Sequence, residues 1–108
     1  MKIKAIVNGT VYTPAEKIES GVVLVLGSKI QAVGRQGEVN PPKDAEFFDA
    51  GGMSIAPGFI DVHMHGVLGH DTMGKGLAKV IPALPAYGVT SFGTQIILSC
   101  LDASGLIF

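Results

Sequence analysis

Three histidines, His63, His65 and His70, fall close together in the chain. His63 and His65 lie two residues apart at the end of Phe59-Ile60-Asp61-Val62-His63, an apolar stretch that reads as a short β-strand. Strand side chains alternate with a period of two, so both imidazoles, and Asp61 behind them, belong to one face. Two neutral imidazoles on one face form half of a divalent-metal site, because zinc takes nitrogen ligands in tetrahedral or five-coordinate arrangements. The pair has a second reading, two loop histidines hydrogen-bonded to backbone. Asp61 likewise is either a carboxylate satisfied by nearby amides or a group that orients one imidazole. His70 and Asp71 belong to the following glycine-rich loop, facing solvent or substrate rather than the ion. Cys100, the single cysteine, has no histidine near it in sequence and reads as an inert, partly buried thiol.

The segment that positions the histidines follows a break at Pro57-Gly58. After the loop, Leu77, Val80, Ile81 and Leu84 recur at i, i+3, i+4 and i+7, one face of a helix. Pro82 and Pro85 fall inside that pattern and must bend or shorten it. Gly88 stands where a helix ends, and Val89-Thr90-Ser91-Phe92 begins another strand. Strand, loop, helix and strand make one βαβ unit, which implies parallel neighbours and places His63 and His65 at the carboxyl end of a strand.

The chain before Pro57 reads as a run of short strands. Asn8-Gly9 predicts a tight turn between Lys2–Val7 and Thr10-Val11-Tyr12. Val22-Val23-Leu24-Val25-Leu26 and Ile30-Gln31-Ala32-Val33 predict a second hairpin about Gly27-Ser28-Lys29. Residues 36–46, with Pro41-Pro42, predict a loop. Phe47-Phe48-Asp49 and Met53-Ser54-Ile55 complete what reads as a small antiparallel sheet or half sandwich.

Composition narrows the function classes. The 108 residues are 47% hydrophobic and 16% charged, with 15 Gly, a mixture that builds a packed core rather than a disordered chain. Eight basic and nine acidic residues, net charge −1, leave no electrostatic footprint for nucleic acid. The longest apolar run, Val22–Leu26, is far short of the ~20 residues that span a bilayer. Lone Cys100 and the early polar residues of the N-terminus fit a soluble, cytoplasmic chain.

The segment Ala56-Pro-Gly-Phe-Ile-Asp-Val-His-Met-His-Gly66 resembles the metal-binding signature that opens the barrel of the amidohydrolase superfamily. The lead-in, with Val7–Val11 and Lys29–Gly34, resembles the superfamily's N-terminal sandwich. Within it, His65-Gly66-Val67-Leu68-Gly69-His70-Asp71-Thr72-Met73 and Tyr87–Phe92 are similar to the N-acetylglucosamine-6-phosphate deacetylase family. Dihydroorotase- and hydantoinase-like members tend to carry an Arg or bulky residue after the second histidine, where this chain has Gly66. The likeness runs from about residue 3 to about residue 94, and residues 93–108 depart from the family pattern.

This resemblance implies an α/β protein: a β-sandwich portion over residues 1–56, then, over 57–108, the first strand-helix-strand of a (β/α)8 barrel. It implies hydrolysis of the N-acetyl group of an amino-sugar phosphate, giving glucosamine-6-phosphate and acetate by metal-activated water. His63 and His65 would hold the divalent metal, zinc first, with iron or another ion as options, and Asp61 would stand behind them. A glutamate, two further histidines and the catalytic aspartate come from later strands, so no catalytic residue is expected in this chain. A complete barrel takes ~250 residues. The expectation is therefore an N-terminal fragment, inactive alone, of an enzyme that dimerises when whole and acts on a small molecule, with no nucleic-acid or membrane partner. Two alternatives stay open: another metal-dependent amidohydrolase, such as a cyclic amidase or deaminase, and a non-catalytic β-rich interaction module.

Overall fold

A computed structural model describes residues 1–94; of the departing tail, residues 95–108, Cys100 among them, lie outside the described residues. The chain divides into two compact units, Met1–Pro57 and Gly58–Phe108.

The first unit is a five-stranded sheet. Strand β1 (Ile3–Tyr12) lies at its centre between β2 (Lys17–Leu26) on one side and β4 (Glu46–Asp49) and β5 (Ser54–Ile55) on the other, with β3 (Lys29–Arg35) beyond β2. β2 pairs antiparallel with β1 and with β3, as the second predicted hairpin requires. β4 and β5 run parallel to β1, so the sheet is mixed and not wholly antiparallel. The loop before β4 is long enough to carry the chain back across the sheet, which a tight hairpin cannot do.

The Asn8-Gly9 turn is a second correction. β1 runs through both residues without reversing, and Asn8 takes φ 58° inside the strand, where its pairing with β2 shifts register around Gly9. The dipeptide supplies the left-handed residue it promised, but as a bulge. A bulge adds one residue and flips the side-chain alternation. Thus Ile6 before it and Val11 after it pack into the same cluster although their numbers differ in parity.

Apolar packing occurs on both faces of this sheet. Ala5, Val22 and Leu24 form one cluster; Val11, Ile18 and Val23 form the other. The consecutive β-branched residues of β2 are buried on alternating faces, which explains an unbroken apolar run in an interior strand.

The second unit begins with β6 (Phe59–Met64), which pairs in parallel with β9 (Val89–Thr94). Between them come a two-stranded hairpin, β7 (Gly66–Val67) with β8 (His70–Asp71), a 3-10 turn at Gly74–Gly76, and helix α1 (Leu77–Ala83). Pro82 lies inside α1, and the chain tightens to a 3-10 turn over Leu84–Tyr87 that carries Pro85 in its first turn. Each proline lacks the amide that would continue the α-helical ladder. Gly88 closes the element at φ 77°, donating its N–H to the carbonyls of Leu84 and Pro85. Of the expected helix face, Val80 and Leu84 are buried, whereas Ile81 is exposed. At about 100° per residue Ile81 falls on the rim of that stripe, and the shortened helix leaves the rim in solvent. Parallel strands joined through a helix define an α/β unit, an arrangement shared by many folds. Among the described residues no helix is long and apolar enough to cross a membrane.

Candidate metal centre

β6 and the bend after it position the candidate residues. Asp61 and His63 of β6 share a face, and His65 follows the last strand residue, Met64, where the chain turns into β7. The imidazoles converge: the Nε2 atoms of His63 and His65 are 3.2 Å apart, and the rings meet edge to face with centroids 5.1 Å apart. Without a cation, one ring donates N–H and the other accepts, as the tautomers allow.

The spacing can be tested against a metal. Two nitrogens bound to one tetrahedral zinc at about 2.0–2.1 Å stand about 3.3 Å apart. The observed 3.2 Å matches that bite, so the pair fits as two ligands of one ion. Two ligands do not complete a site. Among the described residues no group of three or more His, Cys, Asp and Glu side chains converges. Two imidazoles can hold a zinc whose other positions are filled by water, whereas a catalytic site takes a third protein donor from elsewhere.

Asp61 serves backbone and not a ring: its Oδ1 accepts the N–H of His63 at 3.1 Å. That bond joins two residues of β6 and steadies the main chain beneath His63. His70 and Asp71 form β8 and are both exposed. Asp71 Oδ1 accepts the N–H of Met73 at 2.7 Å.

Sequence reasoning passed over Thr72. It is buried, and both its N–H and its hydroxyl donate to the carbonyl of His65, at 2.8 and 3.0 Å. A solitary threonine beside an aspartate carries no periodic signal, so only the fold reveals it. Gly66 has a steric role. A Cβ built there would collide with the carbonyl of His70, so the hairpin closes only over glycine. On the first unit, a shallow apolar concavity lies between Lys4, Ile6, Val25 and Phe48, with no histidine or carboxylate in its lining.

No family model matches the chain. By sequence it is 45% identical over 58 residues to a dihydroorotase of Lactobacillus leichmannii, covering 54% of this chain and 13% of that enzyme. By structure it resembles the N-acetylglucosamine-6-phosphate deacetylase of Pasteurella multocida, with a TM-score of 0.67 and 26% identity over 83% of this chain and 24% of that one. A prolidase complexed with N-methylphosphonate-L-proline shares the fold, with a TM-score of 0.65 and 24% identity over 86% of this chain and 26% of the other. The chain thus spans about an eighth of the dihydroorotase and about a quarter of the solved structures. The sequence likeness and the structural likeness lead to different enzymes, so the comparisons do not single out the deacetylases. Together these likenesses support the amidohydrolase superfamily, whose hydrolases this chain resembles over part of its length.

Proposed function

We propose that this chain is the N-terminal part of a metal-dependent amidohydrolase, with His63 and His65 as two ligands of a divalent cation, zinc first. The observation that carries the reading is the 3.2 Å approach of the two Nε2 atoms at the carboxyl end of a parallel strand. A cation held there supplies Lewis-acid polarisation of a carbonyl and activation of water. The chain's own residues present two ring nitrogens to it, and Asp61 and Thr72 hold the backbone on which those rings stand. The third ligand and the proton-transferring carboxylate belong to later strands of a (β/α)8 barrel, of which β6, α1 and β9 are the opening.

The substrate we propose is N-acetylglucosamine-6-phosphate, cleaved to acetate and glucosamine-6-phosphate. The glycine-rich His65–Met73 stretch and the likeness to the Pasteurella multocida enzyme support it. A second reading, hydrolysis of a cyclic amide, is favoured by the match to dihydroorotase. The test is the protein encoded by the complete gene, loaded with zinc and offered N-acetylglucosamine-6-phosphate and dihydroorotate in parallel. Acetate release from the sugar phosphate, abolished by His63→Ala with His65→Ala, supports the deacetylase. Turnover of dihydroorotate alone supports the second reading. The 108-residue chain by itself releases no acetate at an enzyme-like rate; if it does, the proposal of a fragment is wrong.

A further inference from the structure

We propose that Thr72 is a positioning residue for His65, acting through the His65 carbonyl. The inference rests on the reading of His63 and His65 as metal ligands for its functional consequence, but its geometry stands apart from any ion. His65 is exposed and is the bend residue between β6 and β7, outside the described pairing of either strand. Thr72 comes back to it from the far side of the β7–β8 hairpin. With 5% of its surface exposed, it is the buried polar residue of the described chain, and it delivers two donors to one carbonyl oxygen, the N–H at 2.8 Å and Oγ1 at 3.0 Å.

The hairpin between them has only two residue pairs, Gly66 with Asp71 and Val67 with His70. So short a ladder holds little by itself, and the two hydrogen bonds that Thr72 donates to the His65 carbonyl close its open end. The Asp71 carboxylate caps the next amide, at Met73, and α1 packs against both hairpin strands. The orientation of the His65 ring, and with it the 3.2 Å approach to His63, therefore depends on a threonine seven positions away. Partners that orient a metal ligand typically change metal affinity 10–100-fold when removed.

The test compares the unsubstituted 108-residue chain with Thr72→Val, which keeps the shape and N–H but loses the hydroxyl, Thr72→Ser, which keeps the hydroxyl, and His63→Ala with His65→Ala. In the metal-free chains, proton NMR reads cross-relaxation between the His63 and His65 rings. It is expected to weaken in Thr72→Val and to return in Thr72→Ser. Titration with Co(II) alone is expected to show about tenfold weaker binding for Thr72→Val, recovery in Thr72→Ser, and loss in the double alanine variant. Ring contacts of unchanged strength in Thr72→Val overturn the positioning role, whatever the cobalt result. Equal cobalt binding by the unsubstituted chain and the double alanine variant, with ring contacts still sensitive to Thr72, overturns the metal reading and leaves the positioning role standing. Should Thr72→Val fail to fold, amide exchange in the unsubstituted chain decides: a protected Thr72 N–H supports the clamp, and an unprotected one overturns it.

Discussion

Gly66 stands against the carbonyl of His70, in a hairpin so tight that no side chain fits at position 66. The residue after the second histidine is thus set by backbone packing. Gly66→Ala is expected to open the β7–β8 pairing and to destabilise the second unit by roughly 1–3 kcal/mol, the usual range for overpacking. Hydrogen exchange at the hairpin amides checks this. Protection equal to that of the unsubstituted chain would show that the loop accommodates a side chain.

The first unit depends on β2. Val22 is 1% exposed and packs with Ala5 and Leu24. Val22→Ala removes two methyl groups from that cluster and is expected to cost about 2 kcal/mol, read as a lower urea midpoint with an unchanged slope. A loss below about 0.5 kcal/mol would place the core elsewhere.

Asp49 links the bulge to the turn after β4. Its Oδ1 accepts the N–H of Gly51 and the side-chain N–H of Asn8, both at 2.8 Å. The Gly51 N–H, and then the Asn8 amide, hold its carboxyl below the ordinary value of 3.8. A carboxyl depressed in the folded state stabilises the fold above its unfolded value, and that contribution is lost as pH falls through the folded one. Thermal unfolding between pH 5 and pH 2 should therefore fall more steeply with acid in the unsubstituted chain than in Asp49→Asn. Parallel curves would contradict the assignment.

β6 leaves large apolar side chains in solvent: Phe59, Ile60 and Val62 are 69%, 70% and 77% exposed. An apolar strand with little cover is a template for association. The 108-residue chain is expected to self-associate in a concentration-dependent way, and Ile60→Lys with Val62→Lys to reduce it, as light scattering would report. Equal scattering from the two proteins would place the sticky surface off β6.

The sequence was most legible where local chemistry and global fold agree. Pro82, Pro85 and Gly88 each impose a backbone state, and the helix shortens, tightens and ends at those residues. The Phe59–His63 alternation sets Asp61 and His63 on one face of β6, whereas His65 lies past the strand end and its ring meets that of His63 from there. Asn8-Gly9 shows the limit. Its demand for positive φ suits a hairpin turn or a bulge equally, and only the pairing of β1 with β2 beyond Gly9 selects the bulge. β4 and β5 are too short for their residues to encode direction, so their parallel pairing with β1 depends on the long crossing loop. Thr72 was invisible because its two bonds join residues on opposite sides of a hairpin that sequence alone leaves as a loop.

Equilibrium dialysis against zinc, comparing the 108-residue chain with His63→Ala plus His65→Ala, tests the metal pair most directly. Zinc retained by the first chain and lost by the second is the expected result. Equal uptake by both would mean that the two rings hold each other and no ion, and would favour a non-catalytic β-rich module.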